Sequence, residues 1–197
     1  MKLYALVLAG GEGRRFGGQK LLAPHGEGLL IDAALAAALA APVERVFVVA
    51  GSEELAAAAR AFAKRSGQEA RLRVVPVVYA EEGLSVSLRA GLAALPPDAE
   101  GAFVFLGDMP DVPCDVAGRL AQALEENPAL AAAPVLAGRR GHPVLLRRAL
   151  FPLLGQLRGD RGAGGLLAVL GGDLLQIEVT NGGIFRDVDH PEDLGIR

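Results

Sequence analysis

A glycine-rich segment near the N-terminus has the residue types needed to hold phosphate groups. Five glycines lie within positions 10–18. The residues that we assign to this loop are Leu8, Ala9, Gly10, Gly11, Glu12, Gly13, Arg15 and Lys20. Glycine allows backbone N–H groups to approach a ligand without obstruction by a side chain. Arg15 and Lys20 add positive charge, so we predict a triphosphate site, with a ligand-free glycine loop as the alternative.

The spacing in this segment does not match two common phosphate-binding motifs. A P-loop has Gly-Lys followed by Ser or Thr, whereas residues 18–21 are Gly-Gln-Lys-Leu. A dinucleotide fingerprint has the spacing G-x-G-x-x-G, but Gly17 comes one residue too late after Gly11 and Gly13. Although Glu53 lies close to the position of a ribose-binding acid, the glycine spacing argues against a dinucleotide-dependent redox enzyme.

Two aspartates are candidates for holding a metal ion beside the phosphates. Asp108 follows an apolar run and precedes Pro110, and Asp189 lies near the C-terminus. A carboxylate that faces a triphosphate is repelled unless a cation lies between them. Mg²⁺ typically uses one or two carboxylates together with phosphate oxygens. We therefore predict Mg²⁺ as cofactor, although either aspartate alone could instead cap a nearby helix.

Two further polar residues need separate interpretations. Ser85 lies near a predicted helix start, where backbone amides favour anions, and we assign it to the nucleotide site with an N-cap as the alternative. Cys114 is the only cysteine and has no basic neighbour in sequence, so we predict an inert thiol.

The elements that position these residues alternate between strand and helix. Apolar runs predict strands at 3–8, 45–50, 72–79, 102–106, 130–136, 143–146 and 174–179. Runs rich in Ala and Leu predict helices at 29–41, 53–66, 85–95, 115–126, 149–157 and 163–170. This order predicts an α/β protein, a three-layer α/β/α domain over residues 1–197 with a mainly parallel, Rossmann-like sheet. The loop and Asp108 then share the carboxyl edge of the sheet.

Composition limits the classes of partner. Of the 197 residues, 51% are hydrophobic and 22% charged, with a net charge of −3. This balance gives no general attraction to nucleic acid or to an anionic membrane, and no apolar run reaches the roughly 20 residues of a membrane span. A single cysteine fits a reducing compartment. We expect a cytoplasmic protein with small-molecule substrates.

The motifs together resemble the nucleotidyltransferases of molybdenum cofactor biosynthesis. The shared features are the loop LAxG…R-x-G…K, Asp-x-Pro at 108–110 and D-x-D-x-P-E-D at 187–193. Segments 82–92, 140–144 and 159–163 look like the cytidylyltransferase branch. The Ala-Gly-Gly at 9–11 looks more like the guanylyltransferase branch. The three downstream segments favour CTP. Because the loop lies near the nucleobase in the family, its Ala-Gly-Gly leaves GTP open.

The resemblance implies a fold of the nucleotide-diphospho-sugar transferase type and a role for several residues. CMP would pass from CTP to the terminal phosphate of molybdopterin, with release of pyrophosphate. Arg15 and Lys20 would hold the triphosphate, and Asp108 and Asp189 would hold Mg²⁺. His142 would contact the acceptor, or would only orient the turn before a strand.

Segment 159–163, which contains Asp160 and Arg161, looks like an acceptor-side loop by the same resemblance. The resemblance also implies a recipient molybdoenzyme as a further partner. The alternatives are GMP transfer to the same acceptor, a nucleotidyltransferase that acts on sugar or polyol phosphates, and a non-catalytic nucleotide-binding module.

Overall fold

Apolar runs that are buried on both faces form the centre of a mainly parallel sheet. The computed structural model describes residues 1–10, 16, 18–78, 83–158 and 164–195. Its strands are β1 (Leu3–Ala9), β2 (Pro24–His25), β3 (Gly28–Leu29), β4 (Val46–Ala50), β5 (Leu72–Pro76), β6 (Gly101–Leu106), β7 (Ala131–Leu136), β8 (Arg139–Arg140), β9 (Val144–Arg147) and β10 (Leu174–Glu178). Its helices are α1 (Leu30–Ala40), α2 (Glu53–Arg65), α3 (Leu84–Ala94), α4 (Cys114–Glu125), α5 (Phe151–Leu154) and α6 (Gly164–Val169).

The order of the strands brings the end of β1 to the centre of the sheet. The order is β10-β7-β9-β6-β1-β4-β5, with β8 paired to β7 at the side and β2 and β3 forming a separate hairpin. β1 runs parallel to β4 and β6, and Leu8 pairs with Leu106. The chain therefore leaves β1 and β6 at the same edge. Because β4 and β6 flank β1 on opposite sides, this edge is a switch point of the kind at which open α/β sheets bind ligands.

The helices cover both faces of the sheet. Along β1, Leu3, Ala5 and Val7 belong to one buried cluster, which also contains side chains of α1, α2 and α4. The alternate residues Tyr4 and Leu6 belong to a second cluster, with side chains of α3, α5 and α6. Successive side chains of a strand point to opposite faces, so each central strand contributes to both clusters. The predicted three-layer α/β/α arrangement is confirmed.

The second half of the chain differs from the sequence prediction in detail. The strand predicted at 143–146 is β9, which runs antiparallel to β6 and β7. The helix predicted at 149–157 is only a 3₁₀ turn followed by the single turn α5, and Gly155 follows its last residue. The strand predicted at 72–79 ends at Pro76. In the part of the chain that the structure describes, no helix has the length and apolarity to cross a membrane.

Candidate functional site

A lysine contacts two aspartates that are distant in sequence at the carboxyl edge of the sheet. Lys20 begins a 3₁₀ turn, Lys20–Leu22, and only 10% of its side chain is exposed. Its Nζ donates to Asp108 Oδ2 at 2.7 Å and to Asp189 Oδ1 at 3.4 Å. The Asp108 and Asp189 side chains remain 25% and 40% exposed. The structure thus brings together three of the residues that the sequence predicts for one site.

The turn after β6 places Asp108 next to Lys20. Gly107 N–H donates to Leu8 O at 3.0 Å, so the chain that leaves β6 stays beside the end of β1. Helix α4 begins six residues after Asp108, at Cys114. Its N-cap is Pro113, and no side chain caps the helix. The alternative of Asp108 as the cap of this helix is therefore wrong.

The C-terminal segment brings Asp189 to the same point. Val188 N–H donates to Asp108 O at 3.0 Å. A 3₁₀ turn follows at Pro191–Gly195, and Asp193 Oδ2 accepts the N–H groups of Asp189 at 2.9 Å and His190 at 2.8 Å. The His190 N–H is the largest cause that lowers the pKa of Asp193. Asp193 is therefore a carboxylate that caps this turn, while Asp189 Oδ1 faces Lys20.

An arginine that the sequence analysis did not select ties this segment to the loop after β6. Arg186 Nη1 forms an ion pair with Asp111 Oδ2, and its Nη2 donates to Asp193 O at 3.0 Å. Asp193 was missed as well, although an acidic residue three positions after the residue that precedes a turn, here His190, is a known capping signal. Arg186 and Asp111 are 75 positions apart, and no sequence pattern links them.

The pair of carboxylates fits a hard divalent cation. Asp108 and Asp189 offer carboxylate oxygens, the ligands that Mg²⁺ and Mn²⁺ prefer. Both carboxylates keep part of their surface exposed beside Lys20, which leaves them accessible to a cation. No group of three or more His, Cys, Asp or Glu side chains in the described ranges is arranged to hold a metal. Mg²⁺ commonly uses only one or two carboxylates, so the two aspartates are a sufficient donor set.

Four of the eight residues assigned to the glycine loop lie outside the described residues. Leu8 and Ala9 are buried at the end of β1, and Gly10 is half-buried. Gly11, Glu12, Gly13 and Arg15 fall outside the described ranges, as do Asp160 and Arg161. The roles of these residues stay predictions.

Ser85 is a buried residue of α3 and not its N-cap. The N-cap is Gly83, at φ 116°, and Ser85 is the second residue of the helix. The serine is fully buried, and its hydroxyl accepts a hydrogen bond from Arg89 Nη1 at 3.4 Å. The N-cap alternative is wrong, and the assignment of Ser85 to the nucleotide site stays a prediction.

His142 lies in the wall of a cavity on the α3 face of the sheet. Its backbone N–H donates to Ile184 O at 2.9 Å, which fixes the turn before β9. Burial is the main cause that lowers the pKa of its imidazole below the usual value. The cavity has a volume of about 450 Å³ and is also lined by Leu8, Leu106 and Arg140. The two interpretations of His142, turn former and ligand contact, are therefore compatible.

The fold and the site define a class of protein. The chain has the nucleotide-diphospho-sugar transferase fold, a mainly parallel sheet with helices on both faces, and it carries a lysine and two aspartates at the carboxyl edge of that sheet. Residues 5–176 match the family model described as the MobA-like NTP transferase domain. The chain belongs to this family, and it is a nucleotidyltransferase.

Several known proteins are similar to this chain over nearly its whole length. The molybdenum cofactor cytidylyltransferase of Escherichia coli K12 is 24% identical over 188 residues, which cover 95% of this chain and 91% of that protein. The crystal structure of Rv0371c from Mycobacterium tuberculosis H37Rv is 28% identical with a TM-score of 0.81, covering 98% of this chain and 95% of that one. A manganese complex of the same mycobacterial protein is 25% identical with a TM-score of 0.78, covering 98% and 96%.

Proposed function

We propose that this protein transfers CMP from CTP to the terminal phosphate of molybdopterin and releases pyrophosphate, with residues 1–197 acting as one domain. The observation that carries the proposal is the contact of Lys20 with Asp108 and Asp189 at the switch point of the sheet. Support for the acceptor comes from the motifs at 82–92 and 140–144 and from the similarity to the cytidylyltransferase of Escherichia coli K12.

The chemistry requires little from the protein beyond positioning and charge. A phosphate monoester has its second pKa near ~6, so the attacking oxygen is already ionised at neutral pH and needs no general base. It attacks the α-phosphorus of CTP, one P–O bond forms, and the bond to pyrophosphate breaks. Catalysis then depends on holding two polyanions in line and on neutralising the charge that develops between them.

In this proposal Lys20 and Arg15 hold the triphosphate, and N–H groups of the loop at Gly10, Gly11 and Gly13 assist. Asp108 and Asp189 hold Mg²⁺, which supplies the positive charge that neutralises the phosphate oxygens. The manganese complex of the similar mycobacterial protein supports a divalent cation in this fold. Lys20, beside the two carboxylates, would add its positive charge to that of the cation when the triphosphate binds.

The test is pyrophosphate release with purified protein, Mg²⁺, molybdenum-loaded molybdopterin, and CTP or GTP in parallel. Turnover with CTP supports the proposal, and turnover with GTP alone means that the Ala-Gly-Gly of the loop determines the base. If neither nucleotide reacts, this acceptor is wrong and sugar or polyol phosphates are tested next.

The matched pair of variants for this assay is Asp108→Asn and Asp115→Asn. Asp115 is exposed in the first turn of α4 and lies outside the site. We expect Asp108→Asn to abolish turnover and Asp115→Asn to retain it. Full turnover in Asp108→Asn would contradict the proposed role of the carboxylate.

A further inference from the structure

The two carboxylates beside Lys20 lie on separate segments of irregular structure. Asp108 lies in the turn after β6, and Asp189 lies between two 3₁₀ turns near the C-terminus. Lys20 Nζ contacts Asp108 Oδ2 at 2.7 Å and Asp189 Oδ1 at 3.4 Å. The distance between the two carboxylates is therefore set by the contacts between these segments, since neither a helix nor a pair of strands holds both residues.

An ion pair outside the predicted site joins the two segments. Arg186 Nη1 pairs with Asp111 Oδ2, and both side chains are partly buried. Arg186 Nη2 also donates to Asp193 O at 3.0 Å. The carboxylate of Asp193 in turn accepts the N–H of Asp189 at 2.9 Å. One guanidinium thus connects the loop after β6 to the turn that orients Asp189.

Backbone contacts on either side of Arg186 close the same junction. Val188 N–H donates to Asp108 O at 3.0 Å. A Cβ on Gly183 would lie 1.9 Å from Asp111 O, so the backbone at this glycine lies directly against the loop after β6. Because Gly183 and Val188 flank Arg186 in sequence, the ion pair lies within a continuous junction. A carboxylate carried by such a junction has little freedom to move relative to Asp108.

Restricted movement of ligands discriminates between cations that differ in size. Mg²⁺ requires nearly ideal octahedral geometry with oxygens at about 2.0–2.1 Å, whereas Ca²⁺ takes about six to eight oxygens at about 2.3–2.6 Å in flexible geometry. Two carboxylates at a fixed, short spacing therefore suit the smaller ion. Two carboxylates that can move apart accommodate the larger ion as well.

We propose that the ion pair between Arg186 and Asp111 fixes the spacing of the Asp108 and Asp189 carboxylates, so that the site selects Mg²⁺ over Ca²⁺. This inference rests on the proposed function, in which the two carboxylates hold the cation. Arg186 and Asp111 are positioning residues, because they act on the cation through Asp189. When either partner is lost, the Val188 hydrogen bond still joins the segments, so the site persists but can widen.

The charges of the two partners separate this role from a general electrostatic effect. Arg186→Met removes a positive charge and by itself strengthens the binding of any divalent cation, whereas Asp111→Asn removes a negative charge and weakens it. Mg²⁺ and Ca²⁺ carry the same charge, so either effect changes both affinities by the same factor. The ratio of the two affinities changes only if the geometry changes, and both variants should change it in the same direction.

The experiment measures cation binding without nucleotide or acceptor. Electron paramagnetic resonance of free Mn²⁺ gives the affinity for Mn²⁺, and displacement of bound Mn²⁺ gives the affinities for Mg²⁺ and Ca²⁺. We expect the ratio of the Ca²⁺ Kd to the Mg²⁺ Kd to fall at least about fivefold in Arg186→Met and in Asp111→Asn, since groups that orient metal ligands affect affinity by about 10–100-fold. The double variant should match either single variant, because the two residues act as one unit.

The control is Arg60→Met, which breaks an exposed ion pair with Glu53 in α2 and should keep the wild-type ratio. A ratio within about twofold of wild type in Asp111→Asn overturns the inference. Equal tightening of Mg²⁺ and Ca²⁺ binding in Arg186→Met also overturns it, because the arginine then acts through charge alone. If Arg186→Met does not fold, as judged by circular dichroism, Asp111→Asn carries the test, since it keeps the shape of the side chain and loses only the charge.

The failure of this inference is separable from failure of the proposed metal site. If the wild type binds no Mn²⁺, or if Asp108→Asn leaves the affinity for Mn²⁺ unchanged, the metal site is wrong and the inference falls with it. If Asp108→Asn weakens Mn²⁺ binding while Arg186→Met and Asp111→Asn keep the wild-type ratio, the metal site stands and only the selectivity role is wrong. No turnover is measured, so the identity of the acceptor does not affect the result.

Discussion

At the scale of single residues, the position of Lys20 has two opposing consequences. Its ammonium neutralises part of the charge on Asp108 and Asp189, which allows both carboxylates to lie beside the same group. The same ammonium repels a divalent cation that binds to those carboxylates. Lys20 therefore assists the binding of a triphosphate and opposes the binding of a metal alone.

The first prediction follows from this opposition. Lys20→Met should lower the rate of nucleotidyl transfer by about 10²–10³-fold, as is typical for the loss of one preorganised charge at a reacting phosphate. It should also tighten the binding of Mn²⁺ without nucleotide by at least roughly fivefold, since one charge at ~4 Å contributes about 1 kcal/mol even in water. Electron paramagnetic resonance of free Mn²⁺ measures the second effect. Lys64→Met, an exposed change in α2, is the control. Weaker Mn²⁺ binding in Lys20→Met would contradict the argument.

The second prediction concerns His142 and pH. Burial lowers the pKa of its ring in the folded state below the usual value of 6.5. The unfolded chain therefore binds the proton more readily, and the free energy of unfolding should fall as pH decreases below about 6.5 until the folded pKa is reached. His142→Asn should reduce this slope in urea unfolding between pH 5 and 8. At pH 8 the ring is neutral in both states, so the difference there gives the cost of losing the packing and the hydrogen bonding of the neutral ring. An unchanged slope in the variant would show that His142 does not contribute.

At the scale of elements, two short 3₁₀ turns near the C-terminus hold Asp189 in place. The turn Gly182–Phe185 packs against the loop after β6, and the turn Pro191–Gly195 is bridged to that loop through Arg186. Asp193 closes the second turn by accepting two backbone N–H groups. Strand β6 leads directly into the turn that carries Asp108, whereas no strand leads into Asp189, so these contacts help to position Asp189.

The third prediction tests this support. Asp193→Ala removes the acceptor of the Asp189 and His190 N–H groups, so the Asp189 side chain loses its fixed position. We expect Mn²⁺ affinity and transfer rate to fall by about 10–100-fold, the usual effect of removing a group that orients a metal ligand. Glu192→Gln changes the exposed neighbouring acid and should match the wild type. Equal Mn²⁺ affinity in Asp193→Ala and Glu192→Gln would refute the supporting role.

The fourth prediction compares two adjacent glycines. A Cβ on Gly183 would lie 1.9 Å from Asp111 O, whereas a Cβ on Gly182 meets only Leu136 Cδ2 at 4.0 Å. Gly183→Ala must push the turn away from the loop after β6 and should cost about 1–3 kcal/mol in the free energy of unfolding, as overpacking does. Gly182→Ala should stay within about 0.5 kcal/mol. Urea unfolding measures the free energy of unfolding of both variants. Equal values would show that the close approach of Gly183 to Asp111 is not rigid.

The elements also show where prediction from sequence succeeds. The four parallel strands β1, β4, β5 and β6 were predicted, because continuous Val, Leu and Phe runs between alanine-rich helices are typical of strands that are buried on both faces. β8 was not predicted, since Arg139 and Arg140 look like solvent-exposed charge. Their strand depends on the turn before them, where Ala137 and Gly138 both take positive φ, of 52° and 76°. A positive φ at alanine has no signal in the sequence.

At the scale of the whole molecule, the site joins parts of the chain separated by 88 and 169 positions. The proximity of Lys20 and Asp108 was predictable, because parallel strands β1 and β6 deliver their following residues to one edge. The approach of Asp189 was not predictable from the same rule, since no strand leads into it. Only the resemblance of segment 187–193 to a known motif pointed to it.

A site assembled from three distant segments should couple ligand binding to the stability of the whole fold, and this gives the fifth prediction. A ligand that binds only the folded chain raises the free energy of unfolding by about 2.7 kcal/mol at 100 times its Kd. With Mg²⁺ present, CTP should therefore shift urea unfolding of the wild type toward higher denaturant concentration. Asp108→Asn should abolish most of the shift, and Asp115→Asn should retain it. The same titration with GTP ranks the two bases without any acceptor: a larger shift with GTP would mean that the Ala-Gly-Gly at 9–11 outweighs the cytidylyltransferase-like segments in selecting the nucleotide.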